Sequence, residues 1–437
     1  DTETNNIAIG HVALGGSVNG GEYNIAIGNT SLDALTSADY VTAVGNNAGS
    51  AITTGGKHVL IGHNAGSGLT TSSTSCVYIG TGAGSGSNND TETGNIGIGE
   101  DTMGGAGNTI NGAEYNIALG NFALDALTTG DHNVIVGPYA GTDMTTMGQT
   151  ICIGSSAGAN LTTGATAQNI MIGYATGYDL TSETHNLFIG RVNDGTSTPN
   201  GCEYNVGIGN YVFQDLTSGD QNTAIGYNAG SGLTTGQNNV IIGTATCTTP
   251  TSKNNGTCVG TEANFGNNTG GAEIVIGQGV SGSGDNYFTF GSGNGNDRVY
   301  NQYTSNASWA RVSDERYKEN IKPNIDCGLD FINDLNPVTF TWKAKADIDA
   351  NLPDYDATKL KPEYDKKMYG LIAQEVKSAM DKHNITDFGG WDMIDKDADN
   401  KTDIQSISQE MFIHPLIKAV QELSIEVEQL KEKIKEA

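Results

Sequence analysis

Asn24-Ile25-Ala26-Ile27-Gly28 contains one copy of a word that the chain writes seventeen times between residues 7 and 291: an aliphatic residue, a variable residue, an aliphatic residue and a glycine. Ile7-Ala8-Ile9-Gly10, Val59-Leu60-Ile61-Gly62, Ile151-Cys152-Ile153-Gly154 and Val240-Ile241-Ile242-Gly243 are further copies, and nine of the sixteen glycine-to-glycine intervals are 17 residues. A fixed period of that length marks a solenoid, in which one coil cannot bury its apolar face alone and must stack on its neighbours. Residues 1–291 are therefore expected to form a repetitive shaft of seventeen coils. At about 4.8 Å per stacked strand, the shaft would be on the order of 80 Å long.

Within an extended word the first and third residues share one face and the variable residue points to the other. The first and third slots are nearly always Ile, Val or Leu, so that face is expected to line the inside of the coil. The variable slot is also mostly apolar, with Leu60, Ile135, Phe188 and Ile241 among its occupants. A strand apolar on both faces needs cover on both, and an identical chain around a symmetry axis is the simplest supply. The closing glycine suits a backbone conformation that a side chain forbids. Asn precedes the word in ten copies and predicts a ladder of stacked amides along the axis. Segments such as Ser37-Ala38-Asp39 and Thr129-Gly130-Asp131 read as polar turns. Glu22-Tyr23-Asn24, Glu114-Tyr115-Asn116 and Glu203-Tyr204-Asn205 each open a block of five coils, so the shaft reads as three five-coil modules.

Composition sets limits on function. The 437 residues carry 61 glycines and a net charge of −27, divided as −18 over residues 1–312 and −9 over 313–437. Only five Lys or Arg lie in the first of those segments, which argues against nucleic-acid binding and against anionic membranes. No apolar run is long enough to span a bilayer as a helix. Asp1-Thr2-Glu3-Thr4-Asn5-Asn6 lacks a signal-peptide pattern. Six cysteines show no metal-ligand spacing, and Cys152 and Cys258, standing in the variable slot, read as small buried hydrophobes; no cofactor and no metal are expected. Asp395-Lys396-Asp397-Ala398-Asp399-Asn400 resembles the start of a calcium loop but lacks its glycine and its closing glutamate, and reads as a solvated acidic loop.

The Asn-Ile-Ala-Ile-Gly coils resemble the left-handed parallel β-roll repeats of trimeric adhesin heads and bacteriophage tail-fibre shafts. After a Gly/Asn/Ser-rich connector at 292–312 come Ser313-Asp314-Glu315-Arg316-Tyr317-Lys318-Glu319-Asn320, then Leu335-Asn336-Pro337-Val338, then Tyr369-Gly370-Leu371-Ile372-Ala373-Gln374-Glu375. This ordered set resembles the intramolecular chaperone of phage tail spikes and endosialidases, the S74 peptidase family. Residues 313–411 are expected to be that chaperone, a small α+β domain, with Tyr369–Met380 helical and Gln374-Glu375 a structural hydrogen-bonding pair. Leu416, Val420, Leu423, Val427, Leu430 and Ile434 are spaced 4, 3, 4, 3, 4 and predict a coiled-coil helix over 412–437. Valine or isoleucine followed by leucine in those core slots favours two strands by itself. The added Ile413, Ile417 and Ile425, with the resemblance, argue for three.

The resemblance implies a mainly β, trimeric rod whose terminal domain drives trimerisation and then cuts itself off. Carried over, the nucleophile is Ser313, its base Lys318 and the scissile bond Val312–Ser313, with Asp314, Arg316 and Asn320 as supporting motif residues. A serine hydroxyl needs a base to take its proton, and lysine serves only where burial or nearby charge lowers its pKa. The chain would then be at most a single-turnover serine endopeptidase. The expected setting is a phage tail fibre in the virion, assembled in the host cytoplasm and extracellular when functioning. Its partners would be two further copies, other tail proteins and a host-surface receptor, a glycan, with no nucleic acid and no membrane insertion. The alternatives are a bacterial trimeric surface adhesin, which would need a membrane anchor, and a carbohydrate-degrading spike, which would need paired carboxylates.

Overall fold

The structure, a computed structural model, describes every residue except 1–4, 87–91, 105–108, 163–166, 193–200, 250, 294–296, 303, 305–309, 312–314, 351, 353–354, 363–365, 394–403 and 437. Two compact units divide the chain, Asp1–Tyr317 and Lys318–Ala437, close to the change in composition at 312.

In the first unit every word is a short strand. Seventeen strands, from Ile7–Ile9 to Tyr287–Ser292, pair parallel and in register with the copies before and after them. Ile25 lies opposite Thr42, Ala26 opposite Ala43 and Ile27 opposite Val44. The result is a parallel β-solenoid of about sixteen turns. Beyond the last parallel strand, Arg298–Gln302 and Ala310–Arg311 add on in antiparallel sense. These two strands cover the edge that another coil would otherwise occupy.

The inside of the coil is the reverse of the sequence expectation. Ala26, Leu60, Tyr78, Ile135, Phe188 and Ile241, all in the variable slot, are fully buried, whereas the flanking aliphatics stay partly open, with Ile61 at 39 %, Ile153 at 37 % and Ile276 at 41 % exposure. Alternation explains the inversion, because the Asn before the word and the variable residue share a face, and the Asn amides must reach one another through the interior. A second inner wall comes from turn residues such as Leu32, Leu35, Ile52, Leu69, Leu124 and Leu127. Volumes compensate between neighbouring turns. Gly97 stands in the slot beside Tyr78, where a Cβ would meet that ring at 3.0 Å, and Gly207 stands beside Phe188, at 3.2 Å. Large inner side chains are thus matched to small ones, as close packing requires.

The closing glycines form a column of their own. Gly28, Gly45 and Gly62 have φ near +140°, and a Cβ on Gly45 would lie 2.2 Å from the carbonyl oxygen of Gly62 one turn on. Gly20, also at positive φ (+96°), has open space where its Cβ would be. Gly45→Ala should therefore lower the calorimetric Tm clearly more than Gly20→Ala. The backbone conformation alone costs about 1–3 kcal/mol, and the carbonyl clash adds to it. Equal losses would contradict glycine stacking.

Beside that column runs the amide ladder. Asn116, Asn133, Asn205, Asn222 and Asn239 are buried, and each side-chain carbonyl accepts the backbone N–H one turn on, at 2.8–3.0 Å for Asn133, Thr150, Asn222, Asn239 and Gly256. Each Nδ2 donates to a carbonyl across its own turn, as from Asn133 to Met147 (2.8 Å) and from Asn222 to Gly236 (2.8 Å). Where the ladder residue is His58, the imidazole reproduces both bonds. Nδ1 accepts from the Cys76 N–H at 3.2 Å, and Nε2 donates to the Ser73 carbonyl at 3.0 Å.

Burial holds the His58 pKa down at about 4, against an ordinary 6.5. Its neutral form therefore stabilises the rod fully above pH 6.5. As the pH falls from 6.5 towards 4 the unfolded chain takes up the proton first, and about 3 kcal/mol is lost. His58→Asn, the residue of the neighbouring rungs, should flatten rod stability over that window in pH-dependent calorimetry. An unchanged profile would contradict the assignment.

The second unit is small and mixed. Helix α1 (Leu329–Asn333), helix α2 (Ala373–Lys382) and two short antiparallel pairs, Val338–Phe340 with Met368–Gly370 and Trp391–Met393 with Gln405–Ile407, surround a core of Phe331, Val376, Ala379, Met380 and Ile385. The helix expected over 369–380 begins only at Ala373, because Met368–Gly370 alternates its side chains in a strand with Tyr369 72 % exposed. Helix α3 (Ile413–Glu436) follows a turn of 3-10 helix, Gln409–Phe412. The acidic loop at 395–400 lies outside the described residues.

Candidate functional site

The segment carrying the Ser-Lys motif follows the strand Ala310–Arg311. Glu315–Tyr317 forms one 3-10 turn, Lys318 follows directly, and Asn320 takes a left-handed conformation with φ +55°. Arg316, Lys318 and Asn320 are exposed. Val312, Ser313 and Asp314 lie outside the described residues, so the structure places the base of the expected dyad and does not place its nucleophile.

Polar anchors fix the rest of the second unit. Glu422 of α3 accepts the N–H of Leu329 at 2.7 Å, tying the start of α1 to the long helix, and this bond holds the Glu422 carboxyl below the usual carboxylate range. Asp334, at the end of α1, meets Lys382 at 2.7 Å and His383 at 2.5 Å, and its pKa is lowered by those two bonds. Asn336 donates to Glu375 at 3.2 Å, and the Ser378 hydroxyl donates to the backbone carbonyl of Gln374 at 3.0 Å.

Two apolar surfaces of this unit stay uncovered in the single chain. Along α3, Leu416, Val420, Leu423, Leu430 and Ile434 are each about half or more exposed, and Ile413, Ile417 and Ile425 widen that stripe. A groove of 490 Å³ runs between α1, the antiparallel pair of Val338–Phe340 with Met368–Gly370 and the start of α3, lined by Leu335, Pro337, Val338, Leu371, Phe412 and Leu416 among others.

Some structural devices escaped the sequence reading. Thr36, Thr128, Thr145, Thr217, Thr234 and Thr251 each donate a hydroxyl to a carbonyl one turn on, at 2.7–3.1 Å, so segments that read as polar turns hold a second ladder. Near the last coils, where Gly256 and Glu273 replace the ladder asparagine, a buried ammonium takes over. Lys253 Nζ contacts Glu273 at 2.9 Å, Asp285 at 2.5 Å and Asn267 at 2.7 Å, with Lys253 and Glu273 both fully buried. The position three residues before each ladder residue, occupied elsewhere by the buried Ala38, Gly130 or Gly219, is the sequence signal that marks that lysine as pointing inward.

All six cysteines are free and buried. Burial pushes Cys152 up to about 12, which removes it from thiolate chemistry. Among the described residues no group of three His, Cys, Asp or Glu side chains is arranged to hold a metal ion.

Residues 313–385 match the Peptidase S74 family model, described as the chaperone of endosialidase. The match stops short of the second antiparallel pair and of α3. No curated protein and no solved structure matches the chain. A parallel β-solenoid followed by this domain fits a structural protein of the tail-fibre or tail-spike type, and the chain thus carries a chaperone-of-endosialidase domain at its rod's C-terminal side.

Proposed function

We propose that the chain is a subunit of a homotrimeric phage tail fibre, a rod that contacts the host surface and is assembled by its own C-terminal chaperone. The observation that carries this reading is the pair of aliphatic columns on the outside of the solenoid. The first and third slots of successive words align in register along the rod, and Ile61, Ile98, Ile153, Ile225, Ile242 and Ile276 remain 36–41 % exposed. A continuous stripe of that length is far larger than the apolar patches monomeric proteins leave in water, and identical chains offer the matching surface. The widened stripe on α3 and the apolar groove of the second unit call for the same kind of cover. Three chains rather than two is the reading favoured by that widened stripe and by the match to the chaperone family. The virion tail, other tail proteins as neighbours and a host-surface glycan as receptor belong to this reading.

Cleavage completes the proposal. Lys318 takes the proton of the Ser313 hydroxyl, and Ser313 Oγ attacks the Val312 carbonyl carbon. The Val312–Ser313 C–N bond breaks to leave an ester and a free Ser313 amine, and water then hydrolyses the ester. Lys318 is exposed in the single chain, whereas a lysine base needs burial or a neighbouring cation. Cleavage is therefore expected after assembly, when neighbouring chains cover the site.

The wild-type chain should split into fragments of 312 and 125 residues. The reaction should be first order and independent of concentration once trimers exist. Ser313→Ala and Lys318→Ala should each abolish it without preventing assembly. Denaturing gels with N-terminal sequencing decide the matter: a wild-type chain that assembles and stays intact would mean that the domain acts as a chaperone alone.

A further inference from the structure

A small polar pocket lies on the rod at the start of the first five-coil module. Its volume is 190 Å³, about that of one sugar ring, and Ser37, Asp39, Tyr40, Thr54, Lys57 and Thr74 line it. Several features fix it in place. Asp39 Oδ1 accepts the Glu22 N–H at 2.8 Å, and the Thr54 hydroxyl donates to the Thr71 carbonyl at 2.5 Å. Tyr40 stacks on Tyr23 with ring centroids 5.2 Å apart and planes within 1°, yet remains 57 % exposed. Lys57 is one of only five Lys or Arg residues in 1–312; its side chain is exposed and makes no ion pair with the described residues, Asp39 included.

The other two modules keep the frame and change the lining. Asp131 and Asp220 accept from Glu114 and Glu203 at 2.7 and 2.8 Å, as Asp39 does from Glu22. In place of Tyr40 they carry His132 and Gln221, and in place of Lys57 they carry Gln149 and Asn238. The fold at this corner therefore requires neither the tyrosine nor the lysine. Both occur together only in the first module.

We propose that this pocket binds one uncharged hexose or N-acetylhexosamine residue of a surface polysaccharide. The sugar's apolar face lies on Tyr40, and its hydroxyls bridge Asp39, Lys57 and the serine and threonine hydroxyls. An aromatic plate with a few convergent polar groups is the usual composition of such sites. Lys57 and Asp39 balance one another in charge, and the net −18 of the rod disfavours carboxylated sugars. This proposal rests on the surface-binding reading above and names the site that serves it.

The test is binding of the full-length protein to immobilised neutral, N-acetylated and carboxylated oligosaccharides, compared with a Tyr40→Asn/Lys57→Asn double variant. Asn suits the left-handed backbone at these positions, where φ is +60° and +64°, and it already occupies the equivalent slot at Asn238 and Asn255. The variant should keep its fold, with a Tm lowered only by the loss of the Tyr23 stack, and lose neutral or N-acetylated saccharide binding by about tenfold or more. Undiminished binding by the variant overturns the pocket while leaving the surface-binding reading standing. Wild-type binding confined to carboxylated glycans overturns the ligand class. No saccharide binding by the wild type overturns the proposal, and adsorption of the same protein to host cells then decides whether the broader reading fails with it.

Discussion

In-register stacking of each turn on the next is the constraint on which the whole rod depends. Because Asn133 Oδ1 must reach the Thr150 N–H at 3.0 Å and its Nδ2 the Met147 carbonyl at 2.8 Å, no rung can shift along the strand without stranding buried polar groups. Each such orphan costs about 1–3 kcal/mol. The same constraint dictates the glycine column, since successive turns approach so closely that a single Cβ has no room. It also dictates the backbone of the residue before each ladder position, left-handed at Tyr23, Tyr40, Lys57, Tyr115 and Tyr204. Ladder, glycines and corner residues are one solution to a single geometric problem.

That solution leaves a debt on the outer face. A three-residue strand has one inward side chain and two outward ones, and here the outward pair is aliphatic along nearly the whole rod. In the proposed assembly, cover by identical chains would resolve this and would create a further difficulty. Turns so alike satisfy most local contacts even when two chains are offset by one coil, so register between chains is poorly specified by the rod itself. A terminal domain with its own exposed apolar helix offers a place where chains can be aligned before the repeats close on one another.

The period, the strand of each word, the amide ladder and the glycine column were all legible in the sequence, because each repeats and repetition is visible without a structure. The inside of the coil was misread. The uniformly aliphatic slots looked like core, but a slot that varies from Gly97 and Ala26 to Tyr78 and Phe188 is the one whose neighbours must share a fixed volume. The burial of a ladder amide on the same face as the variable residue held the answer. His58 as a ladder residue was illegible for another reason: its equivalence to asparagine rests on two bonds made in space, to residues 15 and 18 positions away. At the candidate cleavage site the motif alone carries the chemistry, since Ser313 falls outside the described residues and Lys318 stands exposed.

The central claim is that the outer aliphatic columns are the surface on which three chains meet. Light scattering of the full-length chain, beside an Ile61→Asp/Ile98→Asp variant that charges two outward slots without touching the inner core, tests it most directly. The account predicts three times the chain mass for the wild type and a smaller or aggregated species for the variant, with the variant's strand content preserved by circular dichroism. A stable wild-type monomer, or a variant that assembles like the wild type, would contradict it.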